Sequence, residues 1–166
     1  MEKNITLQLE DELFNGNLLD IGMSNTGIIY NLYKEFNVNP TIEYIDGKYD
    51  ENKIEEKYYD NCVLLFTLSQ VYFESSRKEL IKNINKYLKE KGKIYIWDVN
   101  KGYNKLVNFN IKIISSKTKE KKITFKDSKI FLSSNKKATL KILSEYFNII
   151  EEMQDEDIYY IKAEKK

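Results

Sequence analysis

Histidine is absent from this chain, and cysteine, proline and arginine occur once each, as Cys62, Pro40 and Arg77. Without histidine there is no Ser-His-Asp triad, no histidine general base and no histidine metal cluster. A lone cysteine makes neither an internal disulfide nor a cysteine-rich zinc site, so no metal is expected. A single arginine argues against a phosphate clamp built from guanidinium groups. No apolar run is long enough to span a bilayer, and the opening residues MEKNITLQLEDELF lack the apolar core of a signal peptide. The expectation is a cytoplasmic protein that does not enter a membrane.

What remains is a chain of 166 residues, 42% hydrophobic, which suits one domain over residues 1–166 with a substantial core. The net charge of +1 hides an asymmetry: residues 101–141 hold twelve lysines and two acids, Glu120 and Asp127. Such a basic stretch beside an acidic body attracts phosphates or an anionic partner, nucleic acid among them. The favoured reading is instead a solvated lysine-rich hairpin that guards sheet edges, with nucleic acid the lesser alternative. The hairpin insert spans about residues 103–133, where NIKIIS and KKITF read as strands joined by the polar SKTKEK.

Elsewhere strands and helices alternate. Leu7, Leu9, Leu13 and Phe14 suggest a short amphipathic helix. NLLDIG is a buried strand ending in glycine, and IIYNLYKEF repeats apolar residues at helical spacing. TIEYID is a second strand, and NCVLLFTL, apolar throughout, is a central parallel strand covered on both faces. A helix capped by Ser75 or Ser76 carries Leu80, Ile81, Ile84, Tyr87 and Leu88 and stops at Gly92, before the strand KIYIWDV. Asn52 to Tyr59 suggests a short helix, KIFL a short strand, and Lys136 to Phe147 a helix. FNIIEEM and DIYYIKAEK then form an antiparallel hairpin. This alternation argues for an open α/β sheet.

The chemistry follows the first strand. Residues 22–27, G-M-S-N-T-G, lie between a strand and a helix, where backbone N–H groups and a helix N-terminus face a ligand. A nicotinamide cofactor is one reading. Asp20 favours another, because a carboxylate in an apolar strand end gains from an ammonium group and not from a pyrophosphate. Asp20 could instead cap neighbouring backbone N–H groups.

LLDIGMSNTG resembles the first motif of the class I S-adenosylmethionine-dependent methyltransferases, and NINKYLKEKGKIYIWDV, DNCVLLFTLSQVYF and the terminal hairpin resemble later segments of that family. The resemblance implies a three-layer Rossmann-like α/β fold, a mostly parallel sheet with an antiparallel C-terminal hairpin, and S-adenosylmethionine as cofactor. By position it implies Asp20, Gly22, Met23 and Ser24 near the methionine end, Asp46 on the ribose hydroxyls, and Phe66, Thr67 and Leu68 along the cofactor edge. Ser24 and Thr26 replace two of the family's glycines. Only a short segment separates Asp46 from Cys62, so TIEYID takes the second-strand position and the third strand is missing; it also aligns without a gap as the third. The family's frequent histidine after the fourth strand gives way to Ser69 and Gln70.

Methyl transfer needs alignment and exclusion of water more than a dedicated base. Asp98 and Tyr72 are the candidates for one, against a loop cap and a packing residue respectively. Trp97 and Cys62 read as core. The expected function is methyl transfer to a small-molecule or macromolecular acceptor that the sequence does not identify. A non-catalytic binding module with this fold is the alternative, and a nicotinamide oxidoreductase the third reading. The oligomeric state is not legible.

Overall fold

The strand Tyr59–Leu65 (β4) is buried along almost its whole length, and its side chains divide between two cores by simple alternation. Val63 and Leu65 point to one core, Cys62 and Leu64 to the other. The same division runs through Leu18–Gly22 (β2), Leu88–Val99 (β5) and Ile158–Lys165 (β9). Continuous apolar runs are required because both faces of the sheet are covered.

The computed structural model describes residues 2–22, 27–36, 42–46, 54–116 and 120–166; the side chains of residues 36 and 42–46 lie outside that description. With Ile42–Asp46 (β3) and Phe147–Gln154 (β8), the main sheet has the order β3-β2-β4-β5-β9-β8. β3, β2, β4 and β5 run parallel, and β9 reverses between β5 and β8. The antiparallel terminal hairpin is therefore present. Among the described residues β3 is the outer strand, with none beyond it.

Among the described residues, three helices and a second sheet cover these faces. Helix Ile28–Phe36 (α1) sends Ile29, Leu32 and Tyr33 into the first core. Helices Glu74–Tyr87 (α2) and Lys136–Leu143 (α3) close the second through Ile81, Ile84, Ile142 and Leu143. The first core is completed by a three-stranded sheet of Lys3–Gln8 (β1), Val107–Ile114 (β6) and Lys121–Asp127 (β7), in the order β1-β6-β7. Its inner face carries Leu7, Phe109, Ile111, Ile113 and Phe125.

Several expectations change here. The N-terminal segment is strand β1 followed by a 3-10 turn at Asp11–Phe14, not an amphipathic helix. Ile5 and Leu7 pair in parallel with Ile111 and Ile113, so tertiary pairing overrides the weak helical spacing. KIFL forms a turn, its backbone folded by the Ile130 N–H donating to the Ser128 carbonyl. Residues 54–58, where a short helix was expected, form a turn before β4. Helix α2 ends at Tyr87 instead of running to Gly92, and its N-cap is Phe73, with Ser75 and Ser76 inside the first turn.

Candidate functional site

In the main sheet the chain steps from β2 to one side, as β3, and then to the other, as β4. The carboxyl ends of β2 and its neighbours therefore flank a crevice where connections leave in opposite directions, the usual ligand position of an open α/β sheet. The candidate residues lie along that edge.

Asp20 is fully buried, and its Oδ2 accepts a hydrogen bond from the Tyr30 N–H at 3.2 Å. Tyr30 sits in the first turn of α1, whose amides have no partner within the helix. The carboxylate thus meets the positive end of a helix dipole and ties α1 to β2. Gly22 ends β2 and is the register partner of Asp46, the last residue of β3. Asp20, Gly22 and Asp46 accordingly share one end of two adjacent parallel strands. Met23 and Ser24 lie outside the described residues.

β4 contributes the opposite lip. Phe66 follows it with a left-handed backbone, φ 54°, held because its N–H donates to the Trp97 carbonyl at 2.7 Å and its ring stacks on Phe125 at 4.6 Å. A non-glycine residue in that region stores strain of roughly 1–3 kcal/mol, and such strain collects at ligand sites. Thr67 is buried and donates its hydroxyl to the Ile21 carbonyl at 2.8 Å, joining the lip of β4 to the end of β2. Leu68 opens a short 3-10 turn, Leu68–Gln70, with its side chain in the second core. What Phe66 to Leu68 turn toward the crevice is therefore mainly backbone.

The two candidate bases differ sharply. Asp98, near the end of β5, is fully buried; its Oδ2 accepts from the Ser69 N–H at 3.0 Å and its Oδ1 from the Val99 N–H at 2.7 Å. Burial pushes its carboxyl up to about 6, against the pull of those donors. Its partner across the strands is Tyr159, also buried, whose hydroxyl bonds Thr139 Oγ1 at 2.8 Å. Burial and then the Asp98 carboxylate raise the Tyr159 phenol well above its ordinary value. Tyr72 stands exposed at the edge, its ring 5.0 Å from the Lys129 ammonium. Trp97 and Cys62 are core residues: Trp97 stacks on Tyr160 at 4.7 Å, and burial raises the Cys62 thiol.

Two features escaped the sequence reading. One is the buried ion pair of Lys101 and Asp127, Nζ to Oδ2 2.5 Å, which joins the loop after β5 to the end of β7. The other is a group of exposed rings beside Tyr72, whose residue types gave no sign of exposure.

This fold is the fold of solved S-adenosylmethionine-dependent methyltransferases. One from Mesorhizobium loti superposes with a TM-score of 0.65 over 93% of this chain and 93% of that one, at 10% identity. A second, from Methanosarcina mazei, has a TM-score of 0.59 over 96% of this chain and 99% of that one, at 14% identity. The 1,6-didemethyltoxoflavin-N1-methyltransferase of Burkholderia thailandensis, solved with 1,6-didemethyltoxoflavin and S-adenosylhomocysteine, gives 0.62 over 93% and 73%, at 10% identity. No family model matches the sequence, and no curated protein matches it.

Proposed function

We propose that this protein binds S-adenosylmethionine in the crevice at the carboxyl ends of β2, β3 and β4 and serves methyl transfer to a second substrate. The observation that carries this reading is the convergence of Asp20, Gly22 and Asp46 at one end of two neighbouring strands. The donor chemistry fits: a buried carboxylate suits an ammonium group, a glycine lets backbone approach, and an acid on the next strand suits a pair of ribose hydroxyls. When bound, S-adenosylmethionine supplies an already activated methyl group, which leaves alignment and exclusion of water to the protein.

Asp20 anchors α1 to β2 through the Tyr30 N–H. Thr67 keeps the lips of β2 and β4 together. Asp98 acts on this reading as a positioning residue, since its Oδ2 accepts the Ser69 N–H in the loop after β4 while its Oδ1 accepts the Val99 N–H at the end of β5. Tyr72 is the candidate with access to a substrate.

Calorimetric titration with S-adenosylmethionine, S-adenosylhomocysteine and NAD tests the reading. The two sulfur ligands are expected to bind and NAD not to bind. Asp46→Ala is expected to weaken S-adenosylmethionine by about 1–3 kcal/mol through loss of hydrogen bonds to a charged acceptor. No binding at millimolar ligand would leave a non-catalytic module, a reading that the engagement of Asp20 with α1 supports.

A further inference from the structure

Nine large apolar side chains stand exposed among the described residues, and six of them sit in loops at one place. Phe131 is 80% exposed, Phe73 and Tyr103 70%, Leu106 67%, Tyr72 60% and Ile130 36%. Tyr72 and Phe73 follow β4 and its 3-10 turn, Tyr103 and Leu106 follow β5, and Ile130 and Phe131 follow β7. Hydrogen bonds join these loops, and the six exposed side chains they carry are termed the plate. The Asn104 N–H donates to the Ile130 carbonyl at 2.7 Å, and Lys129 Nζ donates to Gln70 Oε1 at 2.7 Å and to the Gln70 carbonyl at 3.2 Å. Arg77 holds the Val71 carbonyl at 3.0 Å and the Ser133 carbonyl at 3.1 Å. Tyr72 and Phe73 follow Phe66 to Leu68 closely in the chain, which ties the plate to that lip of the crevice.

The charges in these loops are engaged with each other or with carbonyls. Lys101 pairs with Asp127, Lys105 with Asp157 at 3.2 Å, and Lys129 and Arg77 bond as described. Burial lowers the Lys129 ammonium further. A site for a phosphate or carboxylate would present unpaired cations outward; here Lys101, Lys129 and Arg77 are turned onto the protein, and the half-exposed Lys105 is paired with Asp157. The plate presents four aromatic rings and two aliphatic side chains instead. Exposed apolar groupings of this kind mark binding surfaces, and rings favour planar partners that stack or meet edge to face.

We propose that this plate is the methyl-acceptor surface, and that the acceptor is an uncharged, ring-bearing small molecule with a hydroxyl or amine as its nucleophile. That oxygen or nitrogen forms the new bond to the methyl carbon as the sulfonium S–C bond breaks; the bond pair stays on sulfur to leave S-adenosylhomocysteine, and the nucleophile's proton passes to water. The inference rests on the methyl-transfer reading for its link to the crevice, and on the six side chains and the engaged charges for the class of acceptor.

The test uses the full chain and the probe 2-naphthol, titrated by calorimetry with and without S-adenosylhomocysteine, beside 2-naphthyl phosphate. The variant carries Phe73→Ser and Phe131→Ser. Both positions are exposed, and Phe73 is the N-cap of α2, where serine is a preferred residue, so folding is preserved; the melting temperature checks this. Wild type is expected to bind 2-naphthol more tightly than 2-naphthyl phosphate. The variant is expected to lose about tenfold in 2-naphthol affinity with its S-adenosylhomocysteine affinity unchanged. Absence of 2-naphthol binding, equal affinity in the variant, or tighter binding of the phosphate overturns the proposal. So does a wild-type dimer in sedimentation that the variant dissolves, since the plate would then be covered by a second copy. If S-adenosylhomocysteine fails to bind while the variant still weakens 2-naphthol, the apolar site stands and the methyl-transfer reading falls.

Discussion

Asp98 is a carboxyl group with two backbone donors and no access to water, and its burial dominates. Because its folded value, about 6, lies above the ordinary 3.8, the unfolded chain ionises first as pH rises. Stability should therefore fall between about pH 4 and 6 and level off above, with a total change of about 3 kcal/mol. Asp98→Asn keeps one acceptor oxygen and removes the titration. Urea unfolding at a series of pH values should show wild type losing stability relative to the variant across that window; an unchanged difference would assign the slope to other groups. The residues of the crevice were legible in unequal measure. Asp20, Gly22 and Asp46 stood out because strand, turn and helix follow in a recognisable local order. The left-handed backbone of Phe66 was not legible, since its causes are the Trp97 carbonyl and the Phe125 ring, both distant in the chain. Exposure was equally hidden: Phe131 and Trp97 both sit in short apolar runs, yet one is solvated and the other packed between strands.

Elements, by contrast, announced themselves wherever a short-range period was strong. The apolar runs of β2, β4 and β5 and the helical spacing of α1 and α2 match what folds, because each buries a face whose pattern is written within a few residues. β1 was misread because its partner, β6, is separated from it by most of the chain. Pairing at that distance leaves no local mark. The insert, read as a hairpin, does form one, but it is also structural: with β1 it covers the first core. The tie between β7 and the loop after β5 is the buried pair of Lys101 and Asp127, reinforced by Lys101 Nζ on the Lys129 carbonyl at 3.1 Å. Lys101→Met strands a buried carboxylate and should cost about 3–5 kcal/mol, whereas adding Asp127→Leu should recover most of that loss. Urea midpoints of the single and double variants decide the matter; a single variant no worse than the double would mean that the pair contributes only as surface charges do.

At the scale of the whole molecule the question is what the lysine excess of residues 101–141 does. Had those lysines stood free on one surface, phosphate polymers would be retained strongly. The structure distributes many of them instead. Lys121 reaches Glu35 at 2.6 Å, Lys105 reaches Asp157 at 3.2 Å and Lys136 reaches Glu152 at 3.5 Å, all acids outside the stretch. Within it, Lys112 and Lys122 share Glu120, whose carboxyl they hold below its usual range. The outer face of the three-stranded sheet has a hollow of about 450 Å³ lined in part by these two lysines, together with Asn4, Thr6, Asn110 and Thr124. Ile5, Ile111 and Ile123 complete its lining, and of the insert's rings Phe109 and Phe125 are turned into the core, where no base can stack on them, while the exposed Tyr103 and Phe131 lie in loops whose cations are already engaged. Lysine in this setting offers charge without base readout, and salt screens it readily. Of the four lysines that the sequence places in or beside the polar SKTKEK segment, Lys121 and Lys122 are engaged as above, and Lys117 and Lys119 lie outside the described residues. The protein should therefore leave a heparin column at low salt, and Gln at all four positions should leave that elution nearly unchanged. Strong retention abolished by the four substitutions would reverse the conclusion and make the insert a phosphate-binding arm; weak, unaltered elution is what a sheet that covers a core and guards its edge requires.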